Sequence, residues 1–116
     1  MKNRNKGIKN QLSKLIKQHG TPLFLISKSR LLAQVKRFRT LLPRVTPFYA
    51  VKANSHPFIL RTLAQAGVGF DVASVQEVEV VLKLGVRPEN MVYANTVKKP
   101  EALTFAARNK IELMTF

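Results

Sequence analysis

The chain has 116 residues and a formal net charge of +14, and apolar residues make up 46% of it. This length accommodates one small domain with a hydrophobic core, and this composition argues against an intrinsically disordered chain. The absence of cysteine excludes disulfides, thiolate catalysis and cysteine-ligated metal. No stretch reaches the ~18 apolar residues of a membrane-spanning helix. The basic residues 1–20 also lack the apolar core of a secretory signal, so we expect a cytoplasmic protein. The two histidines, His19 and His56, form no ligand cluster with an acidic neighbour in sequence, so we expect no metal site.

The positive charge is concentrated in the first part of the chain. Residues 1–46 contain twelve Lys and Arg and no acid, whereas residues 47–116 contain eight bases and all six acids. The resulting charge of +12 on residues 1–46 would attract nucleic acid or an anionic membrane surface. The aromatic residues of this part are only Phe24 and Phe38, and it has no nucleic-acid-binding motif. We therefore do not expect specific nucleic-acid binding.

Residues 8–46 predict a helical lead-in with one short strand, preceded by a basic tail at residues 1–7. Apolar residues at helical spacing predict a first helix from Ile8, and Gly20 lies where it would end. The apolar run at 22–27 predicts a short strand. Residues 28–42 predict a second helix, which Pro43 would end.

From Pro47 onward, strand-like and helix-like segments alternate. The strand-like runs are 47–53, 68–73, 91–95 and 111–116, and the helical patterns between them are 57–66, 75–84 and 100–109. Gly67 and Gly85 follow the first two of these helices, where a left-handed residue is expected. Alternation at about 20 residues predicts parallel βαβ units with right-handed crossovers, and hence an α/β fold.

Polar residues follow the predicted strands at their C-terminal ends, where parallel α/β folds place their functional residues. Lys52 and Asn54 are at or after the end of the first strand, Asp71 lies in the second and Ser74 follows it, and Asn95 ends the third. Lys52 and Asp71 are the informative pair, because a charge within an apolar run is costly unless it is paired. A desolvated lysine amine is a nucleophile toward an aldehyde. The alternative is a lysine whose stem covers apolar surface while its ammonium reaches water.

At these residues the chain resembles the N-terminal part of the fold-type III pyridoxal-phosphate decarboxylases, which act on ornithine, lysine, arginine or diaminopimelate. Three segments match family motifs in order and spacing: PFYAVKAN (47–54), GFDVAS (69–74) and the region of MVYANTVK (91–98). PRVTPFYAVKAN (43–54) is most similar to the ornithine and lysine branch. GTPLFLI (20–26) and LMTF (113–116) are also similar to family segments, so the resemblance covers roughly residues 14–116.

The resemblance implies the N-terminal half of a (β/α)8 alanine-racemase-like barrel, with about four parallel strands and intervening helices after the basic lead-in. It implies that Lys52 binds pyridoxal 5'-phosphate as a Schiff base during decarboxylation of ornithine or lysine, a step of polyamine biosynthesis. It also implies that Asp71 and Glu77 lie near the cofactor. Their alternatives are a paired strand-end charge for Asp71 and a solvated helix residue for Glu77. His56 is expected to cap or pack at a helix start.

A complete barrel of this type has eight strands and about 250 residues. The resemblance therefore implies that this chain lacks later parts of the family's site, and we expect a truncated or split decarboxylase with little activity alone. Three alternatives remain. They are a non-catalytic module that pairs with a homologous chain or a second copy through open strand edges, a basic binder of nucleic acid or a membrane surface, and a cofactor-binding barrel protein without decarboxylase activity.

Overall fold

The computed structural model describes the backbone of residues 2–116 and the side chains of residues 7–116. The described residues form five α-helices and three short strands: α1 (Lys2–His19), α2 (Lys28–Leu41), β1 (Phe48–Ala50), α3 (Pro57–Gln65), β2 (Gly69–Val72), α4 (Val75–Lys83), β3 (Met91–Tyr93) and α5 (Pro100–Arg108). Single 3-10 turns lie at Val51–Ala53 and Pro88–Asn90. Within this described range, no helix is long and apolar enough to cross a membrane.

The three strands form one parallel sheet in the order β1-β2-β3. Tyr49 pairs with Phe70 and Phe70 with Met91, so these three side chains lie on the same face. A fourth segment joins the sheet by one parallel bridge, between Tyr93 and Met114. The predicted α/β fold with parallel strands is confirmed. The strand predicted over residues 111–116 is shorter than expected, because its described pairing is this single bridge.

The hydrophobic core lies between one face of the sheet and the helices α3, α4 and α5. Phe70, Val72 and Met91 are fully buried on that face of the strands. The three helices and the segment after α5 bury apolar residues against them, namely Ile59, Leu60, Leu63, Val78, Val81, Ala106 and Ile111. The spacing of three and four residues in α3 is that of an amphipathic helix with one apolar stripe. The predicted helical patterns therefore mark the helix faces that cover the sheet.

The ends of the helices are formed as the sequence predicts. His56 is the N-cap of α3, where its Nδ1 accepts a hydrogen bond from the Phe58 N–H at 3.2 Å, which confirms its expected place at a helix start. Gly67 and Gly85 follow α3 and α4 with φ of 70° and 78°, the left-handed conformation that glycine adopts without strain. Lys110 has the same conformation after α5, with φ of 58°. The three connections that follow α3, α4 and α5 thus use one backbone geometry, which the connection from α2 to β1 does not share.

The lead-in differs from the prediction in two places. Helix α1 begins at Lys2 rather than at Ile8, and the basic tail expected over residues 1–7 lies, except for Gly7, outside the residues described with side chains. The strand predicted at 22–27 is wrong, because this segment pairs with no strand of the described sheet. It lies beside α1 and α2 instead of at a sheet edge. Apolar composition alone does not distinguish a strand from other extended chain.

Helix α2 is connected to the domain through α3. The two helices pack against each other, and the Arg39 guanidinium donates a hydrogen bond to the Gly67 carbonyl at 2.9 Å. Ser27 caps the start of α2 by accepting from the Arg30 N–H at 3.4 Å. Leu31, Val35 and Phe38 of α2 line one cavity together with Phe48 and Tyr49, so the lead-in lies at the β1 edge of the sheet.

Candidate active site

Lys52 lies in the 3-10 turn Val51–Ala53, immediately after β1. The strand predicted over residues 47–53 ends at Ala50, and the turn that follows contains the lysine. Val51 is only 1% exposed and anchors the turn in the core, whereas the Lys52 side chain is exposed. The buried valine thus holds the backbone of Lys52 at the carboxyl end of β1.

Two hydrogen bonds shape the loop that follows Lys52. The Tyr49 hydroxyl donates to the Asn54 carbonyl at 3.2 Å, and the Asn54 side chain accepts from the His56 N–H at 2.9 Å. The Tyr49 ring packs edge-on against Phe70, with ring centroids 6.4 Å apart. Burial raises the pKa of the Tyr49 hydroxyl above its ordinary value. The residues around Lys52 are therefore tied to the core on both sides of the turn.

Asp71 lies on β2, beside β1, where it pairs in register with Ala50 and with Val92. Since side chains alternate along a strand, Asp71 lies on the face opposite to Phe70 and is half-buried there. The ion pair found among residues 7–116 joins Arg87 and Glu89 at 3.1 Å and does not involve Asp71. The alternative of a paired strand-end charge therefore has no partner cation in ion-pair contact within the described part of the chain.

Glu77 caps the helix that begins after β2. Its Oε2 accepts a hydrogen bond from the Ala73 N–H at 2.8 Å, while the Ser74 hydroxyl accepts from the Glu77 N–H at 3.2 Å. This reciprocal arrangement resembles a capping box, shifted by one residue at the start of α4. Glu77 is half-buried, so it differs from the solvated helix residue considered as its alternative. The carboxylate is held at the end of β2 by the backbone.

Tyr93 and Lys98 lie at and after the carboxyl end of β3, and neither was predicted from the sequence as a site residue. Tyr93 is 2% exposed at the end of β3, and its pKa is raised by burial and, second, by the negative charge of Glu77. The Lys98 Nζ lies 5.2 Å from the centre of the Tyr93 ring and donates to the carbonyls of Asn95 and Thr115. Both residues belong to MVYANTVK, so the motif itself was the available signal.

Asn95 connects the ends of β2 and β3. Its side-chain amide donates to the Ala73 carbonyl at 3.2 Å, and its side-chain carbonyl accepts from the Val97 N–H at 3.2 Å. Ala73 also donates to Glu77. A chain of hydrogen bonds thus runs from α4 across β2 and β3 to Thr115 through Lys98. Of the polar residues predicted at the strand ends, this chain of hydrogen bonds joins Ser74, through Glu77, and Asn95, whereas no described hydrogen bond connects Lys52 or Asp71 to it.

The arrangement places an exposed lysine directly after β1 and two carboxylates, those of Asp71 and Glu77, toward the carboxyl end of β2. A primary amine is the group that bonds to the aldehyde of a pyridoxal cofactor, so Lys52 fits that requirement. Asp71 and Glu77 are positioned by the strand register and by the helix cap. The fold and the site define a partial α/β barrel with an amine at the carboxyl end of its first strand, suited to aldehyde-cofactor chemistry.

Comparison with known proteins identifies the family. Residues 28–116 match the family described as pyridoxal-dependent decarboxylase, pyridoxal binding domain. The chain belongs to this family. This match confirms the family resemblance found in the sequence. It also confirms pyridoxal phosphate as the cofactor of the family.

Curated relatives share up to half of their aligned residues with this chain. Ornithine decarboxylase of Rattus norvegicus is 50% identical over 80 residues, which is 69% of this chain and 17% of the relative. Antizyme inhibitor 2 of Xenopus laevis is 49% identical over 80 residues, or 69% of this chain and 18% of that protein. The chain therefore spans about a fifth of the length of these relatives.

Solved structures agree with the fold. A lysine decarboxylase from Selenomonas ruminantium superposes with a TM-score of 0.85 and 39% identity over 92% of this chain and 29% of that one. The arginine decarboxylase of Paramecium bursaria Chlorella virus gives a TM-score of 0.85 and 31% identity over 92% of this chain and 30% of that one. The predicted N-terminal barrel region is confirmed as a partial barrel.

Proposed function

We propose that Lys52 is the residue that bonds covalently to pyridoxal phosphate and that this chain provides the cofactor-binding part of a decarboxylase. The observation on which this rests is the position of Lys52, which is exposed in a turn anchored by buried Val51 at the carboxyl end of β1. PFYAVKAN (47–54), the segment that contains this lysine, lies within the part that matches the family. The bound cofactor would supply an electron sink as carbon dioxide leaves the substrate.

The roles of Asp71 and Glu77 follow from their placement. Asp71 is on the strand beside β1 and has no ion-pair partner among residues 7–116, so its carboxylate is available to a ligand. One oxygen of Glu77 is used by the helix cap, and its charge acts on Tyr93. We therefore assign Asp71 to the cofactor and Glu77 to holding the strand end in place, with a second contribution to the charge beside the cofactor.

The substrate class is a basic amino acid, with ornithine or lysine favoured. This rests on identities of 50% to a protein named ornithine decarboxylase and 39% to a structure of lysine decarboxylase. A comparable identity of 49% to a protein named antizyme inhibitor 2 means that family membership does not by itself establish catalysis. The cytoplasmic location expected from the sequence stays a prediction.

We also propose that this 116-residue chain has little decarboxylase activity alone. Lys52 is exposed, and the Ala50–Asp71–Val92 face of the sheet is half-buried. Decarboxylation at a cofactor needs an oriented substrate in a site from which water is excluded. A lysine and a sheet face that are open to water meet neither requirement. Purified chain should therefore release carbon dioxide from ornithine and from lysine at background rate, and sustained turnover would contradict this part of the proposal.

Labelling of the lysine tests cofactor binding. The full chain is incubated with pyridoxal phosphate, reduced with borohydride and mapped by peptide mass spectrometry. We expect the reduced adduct at Lys52 and its loss in Lys52→Arg, which keeps the charge but removes the primary amine.

Lys83→Arg is the matched control, because Lys83 is an exposed lysine on α4 away from the strand ends. It should leave the Lys52 adduct unchanged. An adduct distributed evenly over the exposed lysines, with no preference for Lys52, would contradict the proposed site.

A further inference from the structure

The first part of the chain is a cationic surface without compensating acids. Residues 1–46 contain twelve bases and no acidic residue. The ion pair described among residues 7–116, Arg87–Glu89, lies outside it. All lysines and arginines from Lys9 to Arg44 are exposed. A surface with this much uncompensated charge attracts polyanions over a Debye length of about 8 Å at physiological salt.

The same part of the chain also exposes apolar side chains. Of the sixteen large hydrophobic residues that are exposed within the described range, ten lie before residue 46. The most exposed of these ten is Phe24, at 75%, followed by Leu41 at 65%. Phe24 and Leu25 belong to the extended segment that pairs with no strand of the described sheet. A charged surface that also exposes this many apolar groups needs an apolar as well as an anionic partner.

Helix α1 separates these two properties onto different faces. Ile8, Leu12, Leu15 and Ile16 fall on an arc of about 100°, whereas Lys9, Lys14 and Lys17 lie on the remaining surface. The apolar arc borders a groove of about 620 Å³ between α1 and α2, which Leu25 and Ile26 also line. Ile8 and Ile16 remain 50% and 38% exposed. We call Ile8, Leu12, Ile16 and Leu25, with Lys9, Lys14 and Lys17, the basic apolar surface.

We propose that the basic apolar surface binds the surface of an anionic lipid bilayer, with α1 lying in the plane of the headgroups. A basic amphipathic helix binds there because its apolar face enters the boundary of the acyl chains while its cations contact anionic headgroups. The exposed apolar side chains favour lipid over nucleic acid, since cations strengthen binding to a phosphate backbone whereas apolar side chains do not. This proposal is independent of the cofactor chemistry at Lys52.

Sedimentation with vesicles tests the proposal on the full chain. Binding is expected to vesicles of phosphatidylcholine with phosphatidylserine and not to phosphatidylcholine alone. The triple variant Lys9→Glu, Lys14→Glu, Lys17→Glu should bind at least about 100-fold more weakly, because each cation near an anionic membrane contributes about fivefold in affinity. Ile8→Ser with Leu25→Ser should weaken binding by about tenfold per side chain lost from the bilayer.

The matched control changes charge by the same amount elsewhere. Lys83→Glu, Lys99→Glu, Lys110→Glu replaces three exposed lysines outside the basic apolar surface and should bind within a few fold of the parent chain. Circular dichroism on every variant verifies that α1 is retained. An equal loss of vesicle affinity in both triple variants would overturn the proposal in favour of unspecific attraction to polyanions. The same conclusion would follow if the serine variant bound vesicles like the parent chain and the parent chain bound RNA equally tightly. Absence of binding to the serine-lipid vesicles at low salt would overturn it as well.

Discussion

The carboxylate of Glu77 has two effects in the candidate site, one on the backbone and one on a pKa. It accepts a hydrogen bond from the Ala73 backbone at the end of β2, and its charge raises the pKa of Tyr93 on the neighbouring strand. The sequence resemblance assigned Glu77 to the cofactor, and the competing interpretation made it a solvated helix residue. The structure shows a helix-capping residue beside the site, which neither interpretation included.

Replacement of Glu77 separates these two effects. Glu77→Gln keeps an acceptor for the Ala73 N–H but removes the charge, so the pKa of Tyr93 should fall toward its ordinary value with about 0.5 kcal/mol lost from the unfolding free energy. Glu77→Ala also removes the cap and should cost about 1 kcal/mol more. Tyrosinate absorbance in a Tyr49→Phe background reports Tyr93 alone, since the chain has two tyrosines and no tryptophan.

The pKa values of both tyrosines are raised in the folded chain, and this makes the free energy of unfolding depend on pH. The folded chain keeps these hydroxyl protons to a higher pH than the unfolded chain, in which they leave near the ordinary value of 10.0. Their contribution to stability is therefore present below that pH and is lost as the pH rises through the folded pKa values. A Tyr93 pKa that does not respond to Glu77→Gln would show that burial alone raises it.

At the scale of elements, the connections after α3, α4 and α5 repeat one geometry with different residues. Gly67 and Gly85 provide the left-handed residue after α3 and α4, as the sequence predicted. After α5 the same position is Lys110, which no sequence rule identified because it is neither glycine nor asparagine. The chain needs a left-handed residue at these positions because of the path it takes from each helix back into the parallel sheet.

This requirement predicts opposite effects at two matched positions. Gly85→Ala should lower the unfolding free energy by about 1 kcal/mol through backbone strain alone, because a Cβ there meets open space. Lys110→Gly should raise it by up to about 1 kcal/mol, since the strain at φ of 58° is removed. Urea midpoints at constant m-value measure both changes. A loss of stability in Lys110→Gly would show that the lysine side chain stabilises its turn.

For the whole molecule, the open edge of the sheet is the principal feature. Tyr93 donates to the Leu113 carbonyl and accepts from the Thr115 N–H, so the backbone N–H of Met114 faces away from β3. An exposed strand edge of this kind pairs readily with another chain. We expect concentration-dependent association through it, with a homologous chain or a second copy as the partner.

Met114→Pro tests this association, because it removes the outward N–H and leaves both hydrogen bonds to Tyr93 in place. Sedimentation velocity should show the parent chain associating at higher concentration and the proline variant remaining monomeric. Met114→Leu, which keeps the N–H and a side chain of similar size, is the matched control and should associate like the parent chain. A parent chain that stays monomeric over the full range of concentration would contradict the expectation.

The sequence by itself determined the α/β class, the helices after residue 27 and the candidate lysine. Periodicity and turn residues depend on neighbours within a few positions, so α3 was predicted at 57–66 and lies at Pro57–Gln65. The motif around Lys52 identified the family, which comparison confirmed. The amine was therefore identifiable from local residues alone.

Only the tertiary structure decided which apolar segments pair as strands and which polar groups meet. The run at 22–27 has a strand-like composition, but its neighbours in space are two helices. The contact of Lys98 with the Tyr93 ring, its bond to Thr115 and the action of Glu77 on Tyr93 join residues on different elements. Hydrogen bonds and charges act over a few ångströms in space, and separation along the chain does not reveal those distances.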